Sequence, residues 1–233
     1  MSRDDAFAAA GETDAWAEDA AATIARAVNA CIERAGECSL VLTGGRAAER
    51  IYRVWEISSG MLPRLDAVIL YFGDERCVAP DHRDSNFGMV ERAWPTVFAA
   101  GAKVKRMEAE RPHRDAAAQD YEMGLPASTD VLLLGMGEDG HVASLFPGDA
   151  VLRESHRRVV CVVGPKAPKE RMTVTPPVLQ AAKSVFLLVT GAEKGRVLKQ
   201  ASNPGKVEEL PVRLVLPQAI VLADLPAQRA FAG

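Results

Sequence analysis

With 233 residues, 48% of them hydrophobic and 25% charged, the chain has the composition of an ordinary folded domain, which excludes collagen-like or extensively disordered polymers. Its 28 basic and 31 acidic residues leave a net charge of −3, so no bulk positive field can hold nucleic acid or an anionic membrane. Any anion must be bound by a local cluster.

The cysteines Cys31, Cys38, Cys77 and Cys161 form no C-x-x-C pair and no metal-ligand spacing, as expected for a reduced, cytoplasmic protein. The acidic N-terminus lacks the apolar stretch of a secretory leader. The longest apolar runs, 131–134 and 185–189, are strand-sized and far below the roughly 18 residues of a membrane span. The expectation is a cytoplasmic monomer or weak homo-oligomer without a membrane or nucleic-acid partner.

In chain order, Trp16, Ala20, Ile24, Val28 and Ile32 form an i, i+4 stripe that predicts a helix stopped by Gly36. The run 39–43 predicts a short buried strand closed by Gly44-Gly45, and helical spacing resumes through Ala47, Ala48, Ile51, Val54 and Trp55. Further strands are predicted at 67–72, 104–107, 131–135, 158–163, 184–190 and 219–222, and helices near 86–94, 115–123, 177–182 and 192–200. Apolar strands separated by helical segments predict one α/β domain over 1–233. It should be a three-layer sandwich with a mostly parallel sheet covered by helices on both faces.

Ligands of such sheets sit at the carboxyl ends of the strands, and three predicted ends carry unusual residues. Thr43-Gly44-Gly45 reads equally well as a phosphate cradle at a helix start or as a tight turn. Asp74-Glu75-Arg76 is a solvated corner on charge alone. At a strand end, however, it becomes a substrate-fixing group with Arg76 as a phosphate clamp. The third end, Gly135-Met136-Gly137-Glu138-Asp139-Gly140, satisfies G-x-G-x-x-G. The dinucleotide reading fails because Phe146-Pro147-Gly148 leaves no room for the helix and Glu138 and Asp139 oppose a pyrophosphate. Asp139 and His141 remain, a carboxylate beside an imidazole whose type titrates near ~6.5 and can move a proton at neutral pH. A second basic group, Lys166, Lys169 and Arg171, follows the strand at 158–163. His82, His113 and His156 sit in polar or Arg-rich stretches and read as solvated. A glycine cradle, two basic segments and one acid/base histidine point to proton transfer or water attack on a phosphorylated small molecule.

Four blocks together resemble the 6-phosphogluconolactonase family. They are Leu42-Thr43-Gly44-Gly45, Phe72-Gly73-Asp74-Glu75-Arg76-Cys77-Val78 with Asp84-Ser85-Asn86, the run Leu-Gly-Met-Gly-Glu-Asp-Gly-His-Val-Ala-Ser-Leu-Phe-Pro-Gly over 134–148, and Lys169-Glu170-Arg171-Met172-Thr173-Val174-Thr175. Gly191-Ala192-Glu193-Lys194 fits as well. The chain departs from the family pattern in Thr43 and Arg46, where Ser-Gly-Gly-Ser is usual, and in the Trp-free segment 211–217.

The resemblance implies a Rossmann-like sandwich shared with glucosamine-6-phosphate deaminase and ribose-5-phosphate isomerase. It implies hydrolysis of 6-phospho-D-glucono-1,5-lactone, a small-molecule phosphosugar partner, without metal or organic cofactor. On this reading the phosphate binds Thr43, Gly44 and Gly45 with Lys169 or Arg171. His141 is the general base, Asp139 orients it or touches substrate, Arg76 binds substrate or steadies negative charge, and Asp74 holds the polar geometry. Two alternatives remain. An amino-sugar-phosphate deaminase would continue its His loop Ala-Phe-Asn-Glu-Pro, whereas this chain reads Ala143-Ser144-Leu145-Phe146-Pro147 and lacks that acid. A non-catalytic sugar-phosphate-binding module would have no use for His141.

Overall fold

A computed structural model describes residues 14–233, so the leader-free reading of the first thirteen positions lies outside the described residues. The first half of the chain runs α1 (Ala15–Ala35), β1 (Cys38–Leu42), α2 (Arg46–Ile57), β2 (Val68–Phe72), β3 (Asp74–Arg76), α3 (Asn86–Ala93), α4 (Thr96–Ala99), β4 (Lys103–Val104) and α5 (Arg114–Gly124). The second half runs β5 (Val131–Gly135), β6 (Val159–Val163), β7 (Glu170–Val174), α6 (Pro176–Ala181), β8 (Ser184–Val189), α7 (Ala192–Ser202), β9 (Ala219–Ala223) and α8 (Leu225–Ala232).

The predicted stripe on α1 is the face it buries, with Ala20, Ile24, Val28 and Ile32 all in the core. Asp14 caps its start by accepting from Ala17 N, and Gly36 ends it at φ 84°, a left-handed turn that glycine adopts without cost. All five residues of β1 are buried, as are the first four of β5, because a parallel strand is covered on both faces.

Six strands form one parallel sheet in the order β4-β2-β1-β5-β8-β9. Successive strands leave β1 toward one edge through β2 and β4, and then toward the other through β5, β8 and β9. The direction reverses between β1 and β5, which is where such sheets open a ligand crevice. The helices complete a three-layer α/β sandwich. Among the described residues, no helix is long and apolar enough to cross a membrane.

One expectation needs correction. The strand predicted at 158–163 exists as β6 but is not in the parallel sheet; it pairs antiparallel with β7, which pairs antiparallel with β3. The polar segments 74–76 and 170–174, read as corners or loops, are the other two strands of this ribbon. The strand predicted at 104–107 shrinks to Lys103–Val104, and α8 was not predicted.

Two buried tyrosines fix the strand ends that face the crevice. The Tyr52 hydroxyl accepts from Thr43 N at 3.1 Å and donates to Thr43 O at 2.9 Å. Tyr121 does the same for Phe72, at 2.7 and 3.0 Å. At the opposite end of the sheet, Asp130 accepts from Ser39 N, Ser39 Oγ and Lys183 Nζ at 2.9, 2.6 and 2.7 Å, joining the starts of β1, β5 and β8. Burial opposes ionisation of Asp130, but the Lys183 and Ser39 hydrogen bonds hold its carboxyl down to about 2 from 3.8.

A depressed carboxyl stabilises the fold fully above its unfolded value and loses that contribution as pH falls toward the folded one. Asp130→Asn should therefore cost about 1–3 kcal/mol at pH 7. Its melting temperature should converge on that of the wild type between pH 4 and 2, while kcat and KM stay unchanged. Thermal melts across that range check this.

Candidate active site

The crevice at the reversal point is a cleft of about 190 Å³ lined by the ends of β1 and β5, the ribbon, and the first turn of α7. The β1 end contributes Thr43, Gly44 and Gly45. Gly45 is the N-cap of α2 at φ 94°, without a side-chain cap, so the first-turn N–H groups of α2 retain their capacity to meet an anion. Gly44 is required by proximity: a Cβ there would lie 2.0 Å from Asn86 Oδ1. Thr43 Oγ1 accepts from Gly135 N at 3.4 Å, tying this turn to the end of β5.

From Gly135 the chain forms a tight loop, not a helix. Gly137 N donates to His141 O at 2.9 Å, Gly140 N donates to Gly137 O at 3.1 Å, and Gly140 turns at φ 78°. The C-terminal segment braces this loop, with Val212 N donating to Gly140 O at 2.8 Å and Leu210 filling the space where a Cβ on Gly140 would sit.

His141 Nδ1 meets Asp139 Oδ1 at 2.5 Å, and the imidazole packs on the Phe146 ring with centroids 4.8 Å apart. Burial pushes the Asp139 carboxyl up, but the hydrogen bond and charge of His141 outweigh it and hold the group below the usual carboxylate range. An ionised carboxylate only accepts, so Nδ1 carries the proton, and in the neutral ring Nε2 is the nitrogen that presents a lone pair. That is the arrangement of an oriented general base.

The opposite wall is the ribbon. Arg76 and Arg171 face each other directly in the antiparallel register of β3 and β7, a like-charge pairing that is unfavourable without an anion between them. Burial and the charge of Arg76 hold the Arg171 guanidinium below its usual value. Arg171 donates from Nε to Pro168 O at 2.8 Å, and Arg76 donates from a terminal nitrogen to Asp84 O at 2.6 Å. Arg76 Nε is buried and has no partner among the described residues. Asp74 is 6% exposed, its two oxygens accepting from Ser144 Oγ at 2.7 Å and Asn86 Nδ2 at 3.1 Å.

Thr43, Gly44, Gly45, Asp74, Arg76, His141 and Arg171 thus line one cleft. Asp139 stands behind His141, not on the cleft surface. Lys169 does not line it: β7 begins at Glu170, so Lys169 closes the exposed β6–β7 turn, its carbonyl accepting from Gly164 N. Two polar side chains that line it, Asn86 and Lys194, are not among the predicted site residues. Asn86 starts α3 and enters the sequence reading only as part of a family block, with no site role. Lys194 lies in the first turn of α7, where burial and the charge of Arg46 hold its ammonium below the usual value while Glu138 opposes them. A basic residue in the first turn of a helix that follows a sheet strand was the available signal. A larger groove of about 720 Å³ beside α8 is lined mostly by apolar side chains, with Arg213 its one charged group, and offers no comparable chemistry.

A doubly wound α/β sheet with a cationic, histidine-bearing cleft at its reversal point is the class of architecture these residues define. The chain belongs to the glucosamine-6-phosphate isomerase/6-phosphogluconolactonase family, whose model matches residues 11–223, and it is an enzyme of that family. It is 33% identical to a 6-phosphogluconolactonase of Nostoc sp. over 212 residues, 86% of either chain. It is 34% identical to one from Pseudomonas putida, covering 83% of this chain and 81% of that one. Among solved structures, a 6-phosphogluconolactonase from Shewanella baltica superposes with a TM-score of 0.78 at 26% identity, covering 89% of this chain and 92% of its own. One from Leishmania guyanensis gives 0.77 at 27% identity, with 91% and 93% covered.

Proposed function

We propose that this chain hydrolyses 6-phospho-D-glucono-1,5-lactone to 6-phosphogluconate in the cytoplasm, the second step of the oxidative pentose phosphate pathway. The observation that carries the reading is the register-matched Arg76 and Arg171 pair across a small cleft from the His141–Asp139 dyad. Two guanidiniums held side by side favour a dianionic phosphate, and an imidazole with a free Nε2 favours water attack on a carbonyl.

The 6-phosphate is held by the Thr43-Gly44-Gly45 turn, the facing guanidiniums of Arg76 and Arg171, and Lys194. His141 Nε2 takes a proton from water as its oxygen attacks C1, then returns it to the ring oxygen as the C1–O bond breaks. Asp139 keeps the imidazole in the productive tautomer. The deaminase alternative needs a further acid in the His loop. That position is filled by the apolar Phe146, which packs on the imidazole.

A coupled assay with freshly generated lactone, corrected for spontaneous hydrolysis, tests the proposal. Catalysed hydrolysis supports it, whereas phosphosugar binding without turnover would make the chain a binding module. Arg171→Ala should raise KM on the order of 10–100-fold with kcat changed little, since charge-assisted contacts to a remote phosphate act mainly on binding. A pure loss of kcat in initial-rate measurements would move Arg171 into the chemistry.

A further inference from the structure

We propose that Glu75 is a positioning residue for this reaction, a buried carboxylate that never meets substrate yet fixes the direction of Arg76 and Asn86. The inference rests on the reading above that Arg76 contacts substrate.

Side chains alternate along a strand, so Asp74 and Arg76 face the cleft and Glu75 points the other way, where it is 3% exposed. Behind the cleft wall its two oxygens receive four donors. Oε1 accepts from Arg76 N and Asn86 N, both at 2.7 Å, and Oε2 accepts from Phe87 N at 2.8 Å and Ser85 Oγ at 3.0 Å. Asn86 and Phe87 are the first two residues of α3, so the carboxylate also sits where helix N-terminal donors converge.

This clasp ties the segment 84–87 to β3, and that segment carries two cleft contacts. The Asp84 carbonyl holds the Arg76 guanidinium, and Asn86 Nδ2 donates to Asp74 O and Oδ1 at 2.8 and 3.1 Å. The Asn86 carboxamide in turn lies against Gly44 of the cradle. Three pieces of the cleft wall, contributed by the β1–α2 turn, β3 and α3, therefore take their relative placement from one carboxylate. Only the ionised acid offers enough lone pairs for four donors; an amide of the same shape turns an NH2 group against two of them. Burial, with the charge of Asp74, pushes the Glu75 carboxyl above its usual value, and the N–H groups of Phe87, Asn86 and Arg76 offset only part of that rise.

A role limited to stability and a role in positioning predict different cycles. We expect Glu75→Gln to lower kcat/KM on the order of 10–100-fold at a temperature where circular dichroism shows the variant folded. In an Arg76→Ala/Asn86→Ala background the same change should lower it by less than about twofold, because its targets are gone. The affinity for inorganic phosphate, measured by calorimetry, runs the same cycle without turnover. It still reads Glu75 should the wild-type enzyme leave the lactone intact, a result that would overturn the functional reading instead. Glu75→Asp, which keeps the charge but withdraws it by one methylene, replaces Glu75→Gln if the latter does not fold. Equal losses in both backgrounds, or an unchanged kcat/KM and phosphate affinity in a folded variant, overturn the proposal.

Discussion

Replacing His141 by alanine should lower kcat by about 10²–10⁴-fold and leave KM nearly unchanged, the range expected for losing general acid–base help. The expectation follows from what the side chain touches. Its Nδ1 is committed to Asp139 at 2.5 Å and its ring leans on Phe146, so neither interaction involves the Arg76 and Arg171 wall. The imidazole is partly exposed, and removing it leaves no large void in the core. Thermal stability should therefore hold within about 1 kcal/mol of the wild type. A δ-lactone already hydrolyses slowly in water, so the measurement must subtract that background. Turnover equal to the wild type would remove His141 from the mechanism.

Gly137→Ala should reach a comparable loss without touching a titratable group. A Cβ at this position would sit 2.1 Å from His141 Nδ1, 2.3 Å from its Cε1 and 2.4 Å from Asp139 Oδ1, all well inside contact distance. The backbone cannot retreat cheaply, because Gly137 N is bound to His141 O. The imidazole–carboxylate pair must therefore swing away, and a displacement of about 1 Å can cost on the order of 100-fold in rate. The Gly137 backbone is not in the left-handed region, so alanine brings no intrinsic strain and the fold should persist. Initial rates together with a melting curve decide the matter: a stable variant with ordinary kcat would mean that the dyad is not the working pair.

The parallel sheet was legible because its central strands are continuous apolar runs, and the predicted 131–135 coincides with β5. The ribbon was not legible. Asp74-Glu75-Arg76 is entirely charged, and β7 begins Glu170-Arg171, so neither carries the apolar pattern by which strands are recognised. They are strands because one side of the ribbon is the cleft and the other buries Glu75 in hydrogen bonds, a tertiary circumstance invisible to local pattern. Helix α8 did carry a signal, Asp224 as N-cap with Pro226 in the first turn. At the site, glycine turns and a histidine at strand ends sufficed to bring Thr43-Gly44-Gly45 and His141 to one cleft, since strand ends of a doubly wound sheet converge. Choosing between Lys169 and Arg171 required the register, which sets Arg171 opposite Arg76 and leaves Lys169 in a turn.

The cleft draws its walls from two separate sheets. The rigid parallel one supplies the proton-handling loop and the glycine turn, and the small antiparallel one supplies the paired guanidiniums. On the proposed reading the phosphate is shared between the two sheets, whereas the histidine loop belongs to the parallel one alone. On that reading, exchanges along the ribbon would alter which anion the cleft admits and leave the His141 loop, braced by its own backbone hydrogen bonds, in place.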